Sequence, residues 1–361
     1  MMIKPYWTSC LLVFSMAGTG LQYVASQQGI VASLPPRASA PACITPLPDT
    51  TPRIELLTSG TPTSLRGLSV VSDRVIWVSG SKGTVGRSID GGKSWQWTTV
   101  KGFEKRDFRD IEAFDEKTAV ITAIAEPANI LKTTDGGLTW KTVFTDSTKG
   151  MFLDAMDFID KKRGIVVGDP INDTVYFATT KDGGNTWKKL PGVAVKVQAG
   201  EAFFAASGTN IRYHPDGSFT LVSGGKASRL INPSEFLPLD IIQGREMTGA
   251  NSIALRGRRA VIVAGDFENP KDTTQNCLFT PDNIREWQAP TTRPHGYRSC
   301  VAFIGDSQLI TCGLTGVDIS TDGGNNWTLI STEGFHVCQQ ARKGKAVFLA
   351  GGNGKIGKLV E

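Results

Sequence analysis

From residue 53 onward the chain alternates short apolar, β-branched runs with Gly- and Asp-containing breaks, a turn signal roughly every ten residues. Val75-Ile-Trp-Val78, Ala119-Val-Ile-Thr122, Gly164-Ile-Val-Val167, Ala260-Val-Ile-Val263 and Ala346-Val-Phe-Leu349 are the clearest of these runs. A preceding run pairs with most of them. Leu65-Arg-Gly-Leu68, Phe108-Arg-Asp-Ile111, Phe152-Leu-Asp-Ala155, Tyr297-Arg-Ser-Cys300 and Phe335-His-Val-Cys338 align by their large first side chain. The pattern predicts an inner strand, a second strand, a third strand, a turn and a short fourth strand, repeated along the chain.

The turn between third and fourth strands carries the strongest repeat. Ser88-Ile-Asp90-Gly-Gly-Lys-Ser-Trp95, Thr133-Thr-Asp135-Gly-Gly-Leu-Thr-Trp140, Thr180-Lys-Asp182-Gly-Gly-Asn-Thr-Trp187 and Ser320-Thr-Asp322-Gly-Gly-Asn-Asn-Trp327 are copies of one another, and Thr280-Pro-Asp282-Asn-Ile-Arg-Glu-Trp287 is a worn fifth. Successive Asp residues are 45, 47, 100 and 40 positions apart, so one unit between Asp182 and Asp282 has lost its motif. The carboxylate can accept hydrogen bonds from turn N–H groups, the glycines supply φ > 0, and the Ser or Thr two residues earlier closes the turn. These Asp residues (Asp90, Asp135, Asp182, Asp322) therefore read as turn staples and not as catalytic acids or metal ligands.

The motif is that of the Asp-box, or BNR, repeat, and the chain resembles the sialidase-like and photosystem II assembly factor-type propellers of the WD40/YVTN/BNR-like group. The resemblance covers residues 53–361. It implies an all-β fold, a β-propeller of four-stranded antiparallel blades of about 45 residues each, in a family that tolerates six to eight blades, and counting the units gives seven. The blades begin near Leu65, Phe108, Phe152, Gln198, Met247, Tyr297 and Phe335. The seventh ends at Lys355-Ile-Gly-Lys-Leu-Val360 and lacks a fourth strand, which Arg53-Ile-Glu-Leu-Leu57 has the right length to supply; such closure removes both sheet edges.

Composition adds limits. Of 361 residues, 40 are Gly and 18 are Pro, which argues for turns and against long helices. The net charge of +5 is too small to point to nucleic acid. No run after the N-terminus reaches the ~18 apolar residues of a membrane helix. Residues 1–26 read as a signal peptide, with Lys4 before an apolar stretch and Val24-Ala25-Ser26 at a small-residue cut site. Residues 27–52 hold six Pro and few large apolar side chains and read as a disordered tether. Neither Cys10 nor Cys43 has the Leu at −3 of a lipoprotein signal. The expected product is an exported protein, periplasmic or extracellular, and a monomer.

Strand direction places the inner-strand starts on one face and the Asp turns on the other. The side chains expected at those starts are Arg66, Arg109, Leu153, Gln198, Thr248, Arg298 and His336, with Asp110 and Asp154 one residue further on and Lys82, Glu126, Asp169 and Asp266 on neighbouring loops. Guanidinium groups around a funnel can clamp a carboxylate of a protein partner or small ligand. Arg66, Arg109, Arg298 and His336 are expected to form a positive arc; the competing expectation is a polar plug in which the Arg pair with Asp110 and Asp154. Sialidase relatives imply an exo-glycosidase as the alternative, with Tyr297 beside Arg298 and Glu126, Asp169 or Asp266 as acids. The Phe-Arg-Ile-Pro-like start of the first sialidase blade is absent, Leu65-Arg66-Gly67-Leu68 being the nearest match. His214, His295 and His336 are isolated, no Cys/His spacing suggests zinc, and no cofactor or metal is indicated. Cys300 and Cys312 flank Gly305-Asp306-Ser307 symmetrically and could form a cross-hairpin disulfide. The polar stretch from Asp266 to Asn276 is the longest strand-two to strand-three loop.

Overall fold

The computed structural model describes residues 51–58, 60–190 and 192–360. The expected signal segment 1–26 and all but the end of the tether lie outside them. The described chain is all-β and forms seven antiparallel blades around a central channel. Blade one is Leu65–Val70, Ile76–Gly80, Thr84–Ser88 and Gln96–Thr99. Blade two is Phe108–Ala113, Ala119–Ala123, Ala128–Thr133 and Lys141–Asp146, and blade three runs from Leu153–Phe158 to Lys188–Lys189. Blade six is Cys300–Phe303, Leu309–Gly313, Gly316–Ser320 and Thr328–Ser331. Among the described residues no helix is long and apolar enough to cross a membrane.

Two blades depart from the regular repeat, and both lie in the interval where the motif is lost or worn. In blade four the innermost paired strand is Ile211–Tyr213, not the segment at Gln198. Residues 203–210 instead run along the channel without pairing in a ladder. Small side chains permit this approach: Gly208, at φ 68°, sits so close to Asp110 that a Cβ there would lie 2.4 Å from its carboxylate. Upstream, Glu201 is anchored by a bidentate, buried pair with Arg229, at 2.8 and 2.6 Å. In blade five the fourth strand shrinks to a single bridge between Phe279 and Gln288, beside the worn motif.

The four intact turns explain their own residue pattern. Ser88 Oγ donates to Asp90 at 2.8 Å, and Asp90 accepts the Ser94 N–H at 2.9 Å; Thr133/Asp135, Thr180/Asp182 and Ser320/Asp322 repeat the arrangement. These bonds hold the Asp90, Asp135 and Asp182 carboxyls down to about 2, with the Ser94 and Thr139 side chains the largest cause in the first two. The second Gly of each turn has φ between 79° and 102° and docks against the preceding blade. A Cβ on Gly92, Gly137, Gly184 or Gly324 would meet Leu57, Trp77, Val120 or Val261 at 2.6 to 3.1 Å. The glycine is required twice over, by the turn and by the blade-to-blade contact.

Blade seven, Val337–Gln340, Val347–Ala350 and Ile356–Val360, is completed by Arg53–Thr58, with Ile54 opposite Leu359 and Leu56 opposite Gly357. The first residues of the propeller thus close it, as the sequence predicts. Ile54 and Leu57 pack on the cluster built from Phe348, Leu349 and Ile356, whereas Leu56 faces solvent at 53 % exposure. Leu57→Ala should therefore cost about 2 kcal/mol and Leu56→Ala less than about 0.5 kcal/mol, measured by denaturant unfolding. Equal losses would mean that Arg53–Thr58 does not pack as described.

Candidate functional site

Because successive strands reverse direction, the inner-strand starts open on the face opposite the Asp turns. There a cavity of about 380 Å³ is lined by Arg66, Arg109, Asp169, Tyr297, His336 and a set of apolar side chains. The side chains that reach it are selected by a recurring bulge. In blade one Leu65 pairs with Gly80 and Gly67 with Ser79, leaving Arg66 extra. Blades two and three repeat this at Arg109 and Asp154, and blade five at Asn251. A bulged residue leaves the ladder, and its side chain is re-aimed.

The equivalences follow from inter-blade hydrogen bonds. Leu65 N–H donates to Gly351, Leu153 to Ile124, Arg298 to Ala264 and Phe335 to Gly313, each at 3.0 Å. Leu65, Leu153, Arg298 and Phe335 are therefore equivalent, and the residues that follow them are Arg66, Asp154, Ser299 and His336. The sequence alignment is one residue out of step in blades three and six, where Phe152 and Tyr297 serve as false anchors.

That slip changes the expected arc. Arg298 occupies an interior position at 0 % exposure. Its Nε donates to Asp318 at 2.7 Å, Nη2 adds a second bond to the same carboxylate, and Nη1 donates to Tyr297 O and Thr315 Oγ1, both at 2.9 Å. Asp318 also accepts from His295 Nδ1 at 2.6 Å. Arg298 is thus a structural cation, and its partner Asp318 was not visible in the sequence as such. His336 does line the cavity, but burial, reinforced by Arg66, Lys355 and Arg109, lowers its pKa to about 3. It is a neutral imidazole, bonded to Ser64 Oγ at 3.1 Å, and adds no charge to the arc.

Arg66 and Arg109 remain. Arg66 makes one long contact, Nη1 to Ala206 O at 3.5 Å, and no described carboxylate pairs with it. Burial, then the neighbouring Arg109, lowers its pKa. Arg109 lies 3.5 Å from the part-exposed Asp107 and over the Phe152 ring at 5.8 Å, and its Nε is buried without an acceptor. Neither Arg is plugged by Asp110, which instead accepts the Ile111 and Met156 N–H groups at 2.8 and 2.6 Å. Asp154 is fully buried, and neither of its oxygens has a hydrogen-bond partner. Asp266 is buried too, away from the cavity, bonded to Arg245 and to the Glu268 N–H.

The apolar wall was not anticipated. Phe152, Phe203, Phe204, Phe267 and Leu314 line the cavity together with the two arginines, Phe152 directly under Arg109. Phe267, from the long loop after Asp266, meets Phe204 and Tyr297 edge-on at 6.1 and 6.4 Å. The loop was legible as a feature; its aromatic contribution was hidden among polar neighbours. Tyr297 lines the cavity, but its hydroxyl donates to Asn251 at 3.0 Å. The disulfide expected between Cys300 and Cys312 is not formed. They are cross-strand partners, yet both are free thiols, and Cys300 Sγ points at the Cys338 carbonyl, 3.3 Å away.

No family model matches the chain, and no curated protein does. Solved structures do. The structure described as YCF48 bound to D1 peptide superposes with a TM-score of 0.63 at 18% identity, over 87% of this chain and 96% of that one. YCF48 from Cyanidioschyzon merolae gives 0.63 at 17% identity, over 85% of this chain and 98% of that one. The Pan2 WD40 domain of Neurospora crassa gives 0.58 at 11% identity, over 86% of this chain and 96% of that one. At these identities the likeness is one of fold.

Two predictions follow from the charges. Arg298→Ala should destabilise by about 3–5 kcal/mol, because it strands a buried carboxylate, while Arg109→Ala should leave the unfolding midpoint nearly unchanged; the reverse order would make Arg109 the structural residue. Burial, then Asp169, raises Asp154 well above 3.8, and burial raises Asp169 to about 6. Both groups bind protons more tightly folded than unfolded, so their contribution is present below about pH 4 and is lost as pH rises through about 6 and beyond. The Asp154→Asn/Asp169→Asn double variant should gain stability over the parent between about pH 4 and pH 8, read from paired thermal melts. A constant difference across that range would refute the raised values.

Proposed function

We propose that this chain is an exported, non-enzymatic propeller of the Asp-box type, acting as a protein-binding or assembly scaffold that captures an acidic segment of a partner at Arg66 and Arg109. One observation carries the reading. A half-buried guanidinium, Arg66, has no carboxylate partner and sits beside a second, incompletely bonded one at the mouth of an open cavity. Burying cations without a counter-charge is costly, and an incoming carboxylate relieves it with a charge-assisted, bidentate pair. The apolar side chains that share the cavity suit a large side chain next to the acid. A similar propeller, YCF48, bound to the D1 peptide lends support to a peptide as the occupant. Export is inferred from the apolar N-terminal stretch and the Pro-rich segment after it.

The glycoside hydrolase alternative keeps one candidate acid, Asp169, on the cavity wall. It loses its nucleophile, because the Tyr297 hydroxyl is buried and bonded to Asn251.

Selection of random displayed peptides on the immobilised protein tests the reading. Enriched sequences should place Asp or Glu next to an apolar residue, lose affinity with rising salt, and fail to bind Arg66→Gln/Arg109→Gln protein of unchanged melting temperature. Equal enrichment on that double variant would overturn the site. Turnover of fluorogenic glycosides, sialosides included, would replace the scaffold reading with the hydrolase.

A further inference from the structure

The bulge that delivers Arg66 in blade one and Arg109 in blade two delivers a carboxyl, Asp154, in blade three. Asp154 is fully buried and neither oxygen accepts a hydrogen bond. On the neighbouring strand, one residue past the Leu153–Gly168 pair, is Asp169, whose N–H donates to Phe152 O at 2.9 Å; it lines the cavity and has one buried oxygen, Oδ1, without a donor. With Asp154 fully buried and Asp169 partly buried at the cavity edge, the two neighbouring carboxyls cannot both ionise cheaply. Buried polar atoms left unpaired in a folded protein call for a functional account.

We propose that the Asp154–Asp169 pair couples anion capture at Arg66 and Arg109 to uptake of a proton. The inference rests on the cavity being the anion site and adds how that site is regulated. Asp169 pairs with neither guanidinium, but when ionised it puts a negative charge on the wall of the cavity that an incoming carboxylate enters. When Asp169 takes a proton from solvent onto a carboxylate oxygen, that repulsion vanishes and the cavity gains one positive charge. No bond to the ligand is made or broken. Anion entry and protonation therefore favour each other, by linkage, to the same extent.

The surrounding groups leave Asp169 as the titrating member. Burial, then Asp169 itself, raises Asp154 well above its ordinary range against the opposing charge of Arg109, and burial holds Asp169 at about 6, with the Phe203 N–H opposing. His336 from blade seven titrates at about 3 and Tyr297 from blade six is pushed far upward by burial, so neither changes charge near neutrality. Arg66 and Arg109 are the cavity's guanidiniums, Asp107 lies 3.5 Å from Arg109 on the exposed side, and residues 203–206 of the blade-four segment bring no charge.

The test uses 3-phenylpropane-1-sulfonate, whose charge is constant with pH and whose ring suits the Phe203 and Phe267 wall. Its Kd should tighten roughly fivefold to tenfold from about pH 7.5 to about pH 5, the effect of a one-unit rise in the Asp169 pKa on binding. Calorimetry near pH 6.5 in buffers of different ionisation enthalpy should show proton uptake by the unaltered protein. Asp169→Asn protein should bind at neutral pH as tightly as the parent does in acid, without pH dependence. A flat parent profile, proton release, or an Asp169→Asn variant that keeps the parent profile would overturn the coupling while leaving the anion site in place. No binding of the sulfonate at any pH, or equal binding by the Arg66→Gln/Arg109→Gln protein, would overturn the anion site and the coupling with it. Tighter binding of the aminated analogue 2-amino-3-phenylpropane-1-sulfonate would instead make the carboxyl pair a subsite for a cation.

Discussion

A seven-blade ring holds its shape because every inner strand is gripped from both sides, and the grip across the seam comes from Arg53–Thr58 lying along Ile356–Val360. Across the same junction the Leu65 N–H donates to Gly351 O, and the Arg342 N–H donates to Val70 O, both at 3.0 Å. With the ring closed, an extra residue in an inner strand cannot be absorbed by sliding the blade. It must leave the ladder, and its side chain is set in place. That constraint puts Arg66 and Arg109 side by side, with the buried Asp154 following in the next blade. The turns on the other face serve the same end, since each second glycine lets one blade dock on the one before it.

The two ends of the channel handle charge differently. Near the far end Arg342 bonds Glu112 at 2.8 Å and also reaches Ser69 and the Ala113 carbonyl. Asp110 is satisfied by backbone N–H groups, and Asp157 by the Tyr213 N–H at 2.6 Å. Charges there are largely matched by groups of the protein itself. At the near end the compensation is incomplete for both signs: Arg66 lacks a carboxylate, Arg109 Nε lacks an acceptor, and Asp154 lacks any donor. Among the described ionisable residues with an unpartnered buried atom, Arg109, Asp154 and Asp169 lie at this end and Arg87 elsewhere, which marks the near end as the candidate binding face.

Blade architecture was legible because it is written locally. Ser88, Asp90 and Gly92 bond within one five-residue window, and Val75-Ile-Trp-Val78 has the composition of a buried strand whatever surrounds it. Register was less legible. Phe152 and Tyr297 look like the aromatic that starts an inner strand in blades two and seven, yet each lies one residue too early, and the mistake moved Arg298 from the interior to the cavity. Blade four was misread for a related reason. The unit there has lost its motif, and the small residues Ala205, Ala206, Ser207 and Gly208 let backbone enter the channel before the inner strand starts at Ile211.

The sequence by itself determined the repeat, the all-β class, the seven units and the face on which chemistry could lie, because each depends on residues close in the chain or on the alternation of strand direction; the closing strand was legible because the last unit is one strand short and Arg53–Thr58 is left over. Only the tertiary structure decided which polar side chains share that face. Arg298 meets Asp318 twenty positions away and is neutralised; Arg66 meets only a carbonyl 140 positions away; Phe267 joins Phe204 from another blade. The pairing of a buried charge depends on distances across the ring, and a one-residue bulge, invisible in composition, turns a side chain from the core to the channel.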